Sequence, residues 1–256
     1  MEETMRVLVA EGNGAARAAL CDALSGQGLA VCDAADGRRA LAVTNDLRPD
    51  ALVLSLELPV WDGLFVLEKL AARQLPHYPH IVAVSAMGDE PLARARQLGA
   101  DATLPRPFEP GALIALLARL PGEGPSGLTR AHARARLPLA RRQLREIGVP
   151  ERLKGFGYLA RAVALVSADD RALGRATGFL YPYLAAEAGE SDHSVERAMR
   201  HAIETTWTRG SVAALHRVFG NSVDPQRGKP TNTECLAMLA QRLCESMAAE
   251  NAAGEG

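Results

Sequence analysis

The first 120 residues of the chain alternate short apolar runs with amphipathic segments. Apolar runs such as Arg6–Ala10 and Ala51–Leu56 are typical of strands buried on both faces of a parallel sheet. The segments between them place apolar residues at helical spacing, as Leu20 and Leu24 do. The pattern predicts a doubly wound α/β fold of five strand–helix units and leaves the strand order open. The predicted strands are 6–10, 29–32, 51–56, 81–84 and 102–104, and the predicted helices are 15–25, 37–45, 64–72, 91–98 and 111–120.

The second half of the chain has helical patterns and no convincing strand. We predict helices at 138–147, 152–167, 170–178, 180–187, 192–208, 211–218 and 232–248, the last of them opened by a capping box at Thr231–Glu234. Pro121–Gly127 is rich in turn-forming residues. The fold class is therefore α/β plus all-α. The predicted division is a domain at 1–121, a linker at 122–136, a helical domain at 137–248 and a disordered tail at 249–256.

Composition excludes several classes of protein. The chain is 48% hydrophobic and 23% charged, which fits a globular protein. No apolar run is long enough to span a membrane, and the acidic start of the chain does not fit a signal peptide. The four cysteines lack the spacing of a zinc site, so we expect reduced thiols in the cytoplasm and no metal.

Charge is divided unevenly along the chain. The formal net charge is −1, but residues 1–122 hold 11 Lys and Arg against 15 Asp and Glu, whereas residues 123–256 hold 18 against 15. A basic second half is a weak indication of nucleic-acid binding.

The segment 189–210 carries the clearest candidate chemistry. Its apolar residues share one face of a helix, and the opposite face carries His193, Glu196, Arg197 and Arg200, with His201 at its edge. With a short helix at 181–188 and a turn at Gly189, the pattern fits a helix-turn-helix. Arginine can bind guanine bidentately and glutamate can accept from cytosine, as base recognition in the major groove requires. A solvated surface helix with charges of both signs fits the same pattern.

Three motifs in the first 120 residues resemble a response-regulator receiver domain. DALVLSLELPVWDGL, residues 50–64, is similar to the third strand and following loop of that family, Ser85-Ala86 to its hydroxyl switch, and Arg106–Phe108 to its Lys-Pro-Phe. The resemblance implies a flavodoxin-like fold and a phosphoryl-accepting aspartate. That chemistry needs a nucleophilic carboxylate, two further acids for Mg²⁺ and a lysine.

The sequence departs from the receiver family at most of those positions. Ser55 stands at the phosphoacceptor position, Glu11-Gly12 replaces the acidic pair, and Arg106 replaces the lysine, so that only Ser85 is retained. A magnesium site built on Glu11 alone would be weak, and we expect neither Mg²⁺ nor Ca²⁺ in this pocket. We predict a pseudo-receiver without phosphotransfer, and a cis bond before Pro107 because the matching bond is usually cis in receivers.

Glu57 is the one nearby carboxylate that could replace the missing aspartate. It lies two residues beyond Ser55 in the loop, and we expect its carboxylate not to reach that position. A catalytic pair of Ser55 and Glu57 is disfavoured, because nothing else in this half indicates a triad.

Three blocks of the second half resemble the family of stage 0 sporulation protein A, the sporulation master regulator of endospore-forming bacteria. The blocks are EIGVPERLKGFGYLARAV at 146–163, VERAMRHAIETTWTRG at 195–210 and FGNSVDPQRGKPTNTECLAMLA at 219–240. The resemblance implies DNA contacts at Glu196, Arg197, Arg200 and His201. His193-Ser194 replaces the Ser-Arg usual in the family, so we expect weaker binding or an altered base preference.

The predicted function is sequence-specific transcription regulation of the sporulation-initiation type, without aspartyl phosphorylation and without catalytic residues. We expect promoter DNA as a partner, and a homodimer formed through the receiver-like domain or on DNA. Phosphorelay proteins are further candidate partners. The alternative is a protein–protein adaptor in a phosphorelay, which uses the pseudo-receiver and whose DNA reading is weakened or lost. Among flanking residues, Trp207 is expected in the core, whereas Arg227 and Lys229 fit either a phosphate contact or a solvated loop.

Overall fold

A computed structural model describes residues 4–120, 124–209, 215, 219 and 229–254. The chain divides into two compact units, Met1–Ala131 and His132–Gly256. Within the described residues, no helix has the length and apolar character needed to cross a membrane.

The first unit is a parallel five-stranded sheet with helices on both faces, as predicted. The strand order is β2-β1-β3-β4-β5, which the sequence pattern could not supply. The strands are β1 (Arg6–Ala10), β2 (Ala30–Ala34), β3 (Ala51–Ser55), β4 (His80–Ser85) and β5 (Ala102–Pro105). The helices are α1 (Gly14–Ser25), α2 (Gly37–Leu47), α3 (Gly63–Ala72), α4 (Asp89–Gln97) and α5 (Pro110–Arg119).

Two apolar layers hold this sheet between its helices. Val7 and Val9 of β1 pack with Leu20 of α1 on one face. Leu8, one residue along the same strand, belongs to the layer on the other face with Leu67 of α3. Because successive strand residues point to opposite faces, a central strand covered on both sides must be apolar throughout. The continuous apolar runs of the sequence follow from this burial.

The second unit is helical. It contains most of α6 (Gly127–Glu146), followed by α7 (Lys154–Ala168), α8 (Arg171–Gly174), a π-helical turn (Ala176–Leu180), α9 (Tyr181–Ala188), α10 (Asp192–Arg209) and α11 (Asn232–Gly254). The helix predicted at 170–178 is thus divided between α8 and the π-helical turn. The helix predicted at 211–218 lies outside the described residues, apart from position 215.

Two ends differ from the predicted boundaries. α6 begins at Gly127, inside the predicted linker at 122–136, and Pro138 lies within the helix. The Ser126 hydroxyl accepts from the Thr129 amide at 3.2 Å and caps the first turn, and the Ala- and Arg-rich sequence that follows favours helix. α11 continues to Gly254, so residues 249–254 are helical and not part of a disordered tail. The predicted capping box is confirmed, since the Thr231 amide donates to the Glu234 carboxylate at 2.7 Å.

Candidate functional sites: a polar strand-end pocket and an exposed helix face

Four residues singled out in the sequence lie at the carboxyl ends of adjacent strands. Glu11 follows β1, Ser55 ends β3, Ser85 ends β4 and Arg106 follows β5. Ligand sites of parallel α/β sheets lie at this edge. The Arg106 guanidinium forms a hydrogen-bonded ion pair with the Glu11 carboxylate. The peptide bond between Arg106 and Pro107 is cis, which confirms that prediction.

Glu57 reaches the pocket, so the expectation that its carboxylate would not is wrong. Its Oε2 accepts a hydrogen bond from the Ser55 hydroxyl at 3.2 Å, and its Oε1 accepts one from the Ser85 hydroxyl at 2.8 Å. The Ala86 amide also donates to Oε1, at 2.6 Å. The Leu56 amide still donates to the Val84 carbonyl of β4, and the chain then turns at residues 56 and 57. The Glu57 side chain thus returns to the strand ends through a turn, and the sequence carries no periodic signal for that direction.

The carboxylate of Glu57 is stabilised in its charged form. Partial burial by itself raises the pKa of Glu57, but hydrogen bonds from Ser85, Ala86 and Ser55 outweigh it and hold that pKa below its usual value. The two serines are almost completely buried, with 2% of Ser55 and 1% of Ser85 exposed. Glu57 therefore supplies an acceptor to two hydroxyls that water scarcely reaches.

The donor set of this pocket does not fit Mg²⁺. That ion is held through carboxylates in nearly octahedral geometry. Gly12 offers no side-chain donor, and Ser55 offers a hydroxyl where a carboxylate is needed. The Glu11 carboxylate is already engaged by Arg106 and by the Asn13 amide, which donates to it at 2.8 Å. Among the described residues, no group of three His, Cys, Asp or Glu side chains could hold a metal ion.

The loop between β3 and α3 is strained and closely packed. Val60 has φ 67°, a conformation that β-branched residues rarely adopt, and 74% of it is exposed. The Trp61 amide donates to the Pro59 carbonyl at 2.8 Å, so the chain turns tightly around Val60. A Cβ on Gly37 would lie 2.0 Å from the Trp61 carbonyl oxygen, and a Cβ on Gly12 would lie 2.8 Å from Cδ of Pro59. Neither glycine can carry a side chain unless the loop moves.

The predicted helix-turn-helix is present in the second unit. Helix α9 ends at Ala188, and Gly189 directly after it has φ 66° and turns the chain toward α10. The Ser191 hydroxyl accepts from the Ser194 amide at 3.2 Å and caps α10. The inward face of α10 matches the predicted stripe, with buried Val195, Met199, Ala202, Ile203 and Thr206.

Helix α7 supports α10 at a close crossing. Gly155 of α7 is buried, and a Cβ there would lie 2.0 Å from the carbonyl oxygen of Ala198. The Asn232 side chain, at the start of α11, donates to the Glu196 carbonyl at 3.1 Å. These two contacts fix α10 through its backbone, and neither residue was singled out in the sequence.

The outward face of α10 exposes most of the predicted DNA-contacting residues. His193, Ser194, Arg197, Arg200 and His201 are exposed and Glu196 is half-buried. Arg200 lies 3.4 Å from the Glu196 carboxylate and forms an ion pair one helical turn apart. Arg197 makes no hydrogen bond or ion pair with any residue in the described part of the chain. Its guanidinium is therefore available to an anionic partner.

Residues next to this face are bound within the unit. Trp207 packs edge-on against Phe219 with ring centroids 4.6 Å apart, as expected for a core residue. Lys229 Nζ donates to the Glu204 carboxylate of α10 at 2.6 Å, which holds the pKa of that carboxyl below its usual range. Lys229 is thus joined to α10 by an exposed ion pair. Arg227 lies outside the described residues.

Comparison with known families gives one match to each unit. A model described as response regulator receiver domain matches residues 7–118. A model described as sporulation initiation factor Spo0A C terminal matches residues 140–243.

Solved structures similar to this chain cover its first unit. A response regulator receiver domain from Bermanella marisrubri is 30% identical and covers 46% of this chain and 98% of its own, with a TM-score of 0.44. The chemotaxis response regulator CheY4 of Vibrio cholerae is 25% identical over the same shares of the two chains, with a TM-score of 0.43.

Proposed function

The chain belongs to the Spo0A-type response regulators, DNA-binding proteins that regulate transcription, and from this premise we propose that it acts without aspartyl phosphorylation. In this proposal the second unit reads promoter DNA through α10. The first unit is a pseudo-receiver with no phosphotransfer, no metal requirement and no enzymatic activity.

The observation that carries the DNA-reading proposal is the exposed guanidinium of Arg197. It stands on the outward face of the second helix of a helix-turn-helix, which enters the major groove in proteins of this architecture. Arg200 and His201 share that face, and Arg200 can exchange its pairing with Glu196 for a phosphate or a base edge. The inward face of α10 is buried, so these side chains point outward, where they can contact DNA.

The chemistry of the pocket supports independence from phosphorylation. An acyl phosphate requires a carboxylate nucleophile, and Ser55 has none. The remaining charged groups are paired internally, Arg106 with Glu11 and Glu57 with the two serines. Incoming phosphate would meet the negative charge of Glu57 at the donors of Ser85 and Ala86.

DNA reading is tested by selecting duplexes from a randomised pool and measuring affinity at several salt concentrations. Arg197→Ala should weaken binding to the selected duplex by about 1–3 kcal/mol if Arg197 reads a base, and it should have a smaller effect on unselected DNA. Arg38→Ala is the matched control, because Arg38 is an exposed arginine of the first unit. Equal affinities for the Arg197→Ala and Arg38→Ala proteins would refute this role of α10. Failure to select any duplex would favour the adaptor alternative.

Phosphorylation is tested by incubating the intact protein with acetyl phosphate and Mg²⁺ and measuring its mass. We expect no stable adduct of about 80 Da, the mass of one phosphoryl group. A stoichiometric adduct on the first unit would refute the proposal.

Assembly and location follow from the same proposal. A homodimer, formed through the first unit or on DNA, would match symmetric half-sites in the selected duplexes. Sedimentation of the protein with and without a selected duplex tests this expectation. We expect this response regulator to act in the cytoplasm.

A further inference from the structure

Three hydrogen-bond donors converge on one carboxylate at the carboxyl edge of the sheet. They are the Ser55 hydroxyl, the Ser85 hydroxyl and the Ala86 amide, and each donates to the Glu57 carboxylate, at 3.2, 2.8 and 2.6 Å. Two hydroxyls and a backbone amide directed at the two oxygens of one carboxylate make a binding site for an oxyanion.

The carboxylate also orders the start of the loop between β4 and α4. Ala86 donates to it directly, and the Met87 amide donates to the Ser85 hydroxyl at 3.0 Å while that hydroxyl donates to Glu57. Two successive amides of an exposed loop thus depend on one anion. Hydrogen bonds of this kind are stronger when the acceptor is charged and when they form a chain.

Glu57 can reach the donors of Ser85 and Ala86 because it follows the neighbouring strand. It lies two residues beyond the end of β3, whereas Ser85 and Ala86 lie at the end of β4. Its carboxylate therefore joins the ends of two adjacent strands. A free anion would have to lose translational entropy to bind there, but a tethered one has lost most of it on folding.

We propose that Glu57 is a resident anion, which occupies an oxyanion site of this chain and holds Ser85 and the 86–87 amides in one arrangement without a phosphoryl group. The inference rests on the proposed phosphorylation-independent function. It adds that the Glu57 carboxylate takes the place of the phosphoryl group. Removal of the carboxylate leaves the three donors in place, and the vacated site accepts a small free oxyanion such as acetate.

The test is amide hydrogen exchange in the full-length protein, resolved at Ala86 and Met87. Glu57→Ala should raise the exchange rate at Ala86 by about tenfold or more, because a hydrogen bond to a charged acceptor is lost. Sodium acetate should restore the protection in that variant, whereas sodium chloride at the same ionic strength should not. Glu109→Ala is the matched control, because Glu109 is an exposed glutamate of another strand-end loop and its side chain caps no helix. This control should exchange as the wild type does.

Two results would overturn the proposal. One is unchanged exchange at Ala86 in Glu57→Ala, with the interior amides of β4 reporting that the unit is folded. The other is a wild-type exchange rate at Ala86 in the Glu57→Gln protein. This variant keeps the shape of the side chain and one acceptor oxygen, so a wild-type rate would mean that a neutral amide holds the loop as well as the anion does. A phosphoryl adduct on the wild-type protein would refute the proposed function by itself, and the exchange results would still decide the role of Glu57.

Discussion

The crossing of α7 and α10 can be tested by adding one methyl group at Gly155. A Cβ at this position would lie 2.0 Å from the Ala198 carbonyl oxygen and 2.8 Å from the Ala202 Cβ. Ordinary contact begins near 3.4 Å, so α10 would have to move by about 1.4 Å. Both obstructing atoms are rigid, since one belongs to the backbone and the other is bonded directly to it.

The expected cost exceeds the gain in helix propensity. Alanine in place of glycine stabilises an unobstructed helix interior by about 0.5–1 kcal/mol, whereas overpacking a core costs about 1–3 kcal/mol. Gly155→Ala should therefore lower the free energy of unfolding of the second unit by about 1–2 kcal/mol. Gly157 lies in the same helix with nothing within 4 Å of an added Cβ, and Gly157→Ala should raise it by about 0.5–1 kcal/mol.

The assay is urea unfolding of the full chain with Trp61 replaced by Phe, so that fluorescence comes from Trp207 in the second unit. Because Ala198 lies next to Arg197, the displaced helix should also bind a selected duplex more weakly in Gly155→Ala and normally in Gly157→Ala. A Gly155→Ala protein at least as stable as the Gly157→Ala protein would refute the close crossing.

Three further predictions concern the first unit. Val60→Gly should raise its free energy of unfolding by up to about 1 kcal/mol, since glycine adopts φ 67° without strain; a loss of stability in urea would contradict this. Gly12→Asp should not create a magnesium site, because its Cβ would lie 2.8 Å from Cδ of Pro59; calorimetric titration with MgCl₂ should detect no binding. The stability difference between the wild type and Glu57→Gln should be constant above pH 4.5, the ordinary pKa of this carboxyl, and should shrink as the pH falls through the lower pKa of the folded protein. Urea unfolding across this pH range measures that difference, and a difference that persists at low pH would contradict the role of the charged carboxylate.

Much of the fold could be predicted because its signals are local. The apolar run at Ala51–Leu56 identifies a strand buried on both faces, and in the structure β3 is Ala51–Ser55. The stripe from Val195 to Thr206 identifies the inward face of α10, and the residues 231–234 identify the start of α11. The helical start at Gly127 was missed because a basic segment next to turn-forming residues has no apolar stripe.

For the candidate sites, too, local features could be predicted and long-range contacts could not. The substitutions at Ser55, Gly12 and Arg106 are visible in the sequence, and they are enough to predict that receiver phosphotransfer is lost. The direction of the Glu57 side chain is not visible, because it depends on whether the chain stays paired with β4 beyond Ser55.

By itself the sequence determined the buried strands, the buried and the exposed basic face of α10, and which receiver groups are missing. These properties depend on the chemistry of single residues and on the period of one helix or strand. Only the tertiary structure decided that Glu57 binds Ser85, that Arg106 binds Glu11 and that Arg197 is left without a partner among the described residues. A hydrogen bond between groups far apart in the chain forms only within a narrow range of distances, which strand order and register set. A local sequence pattern does not specify those distances.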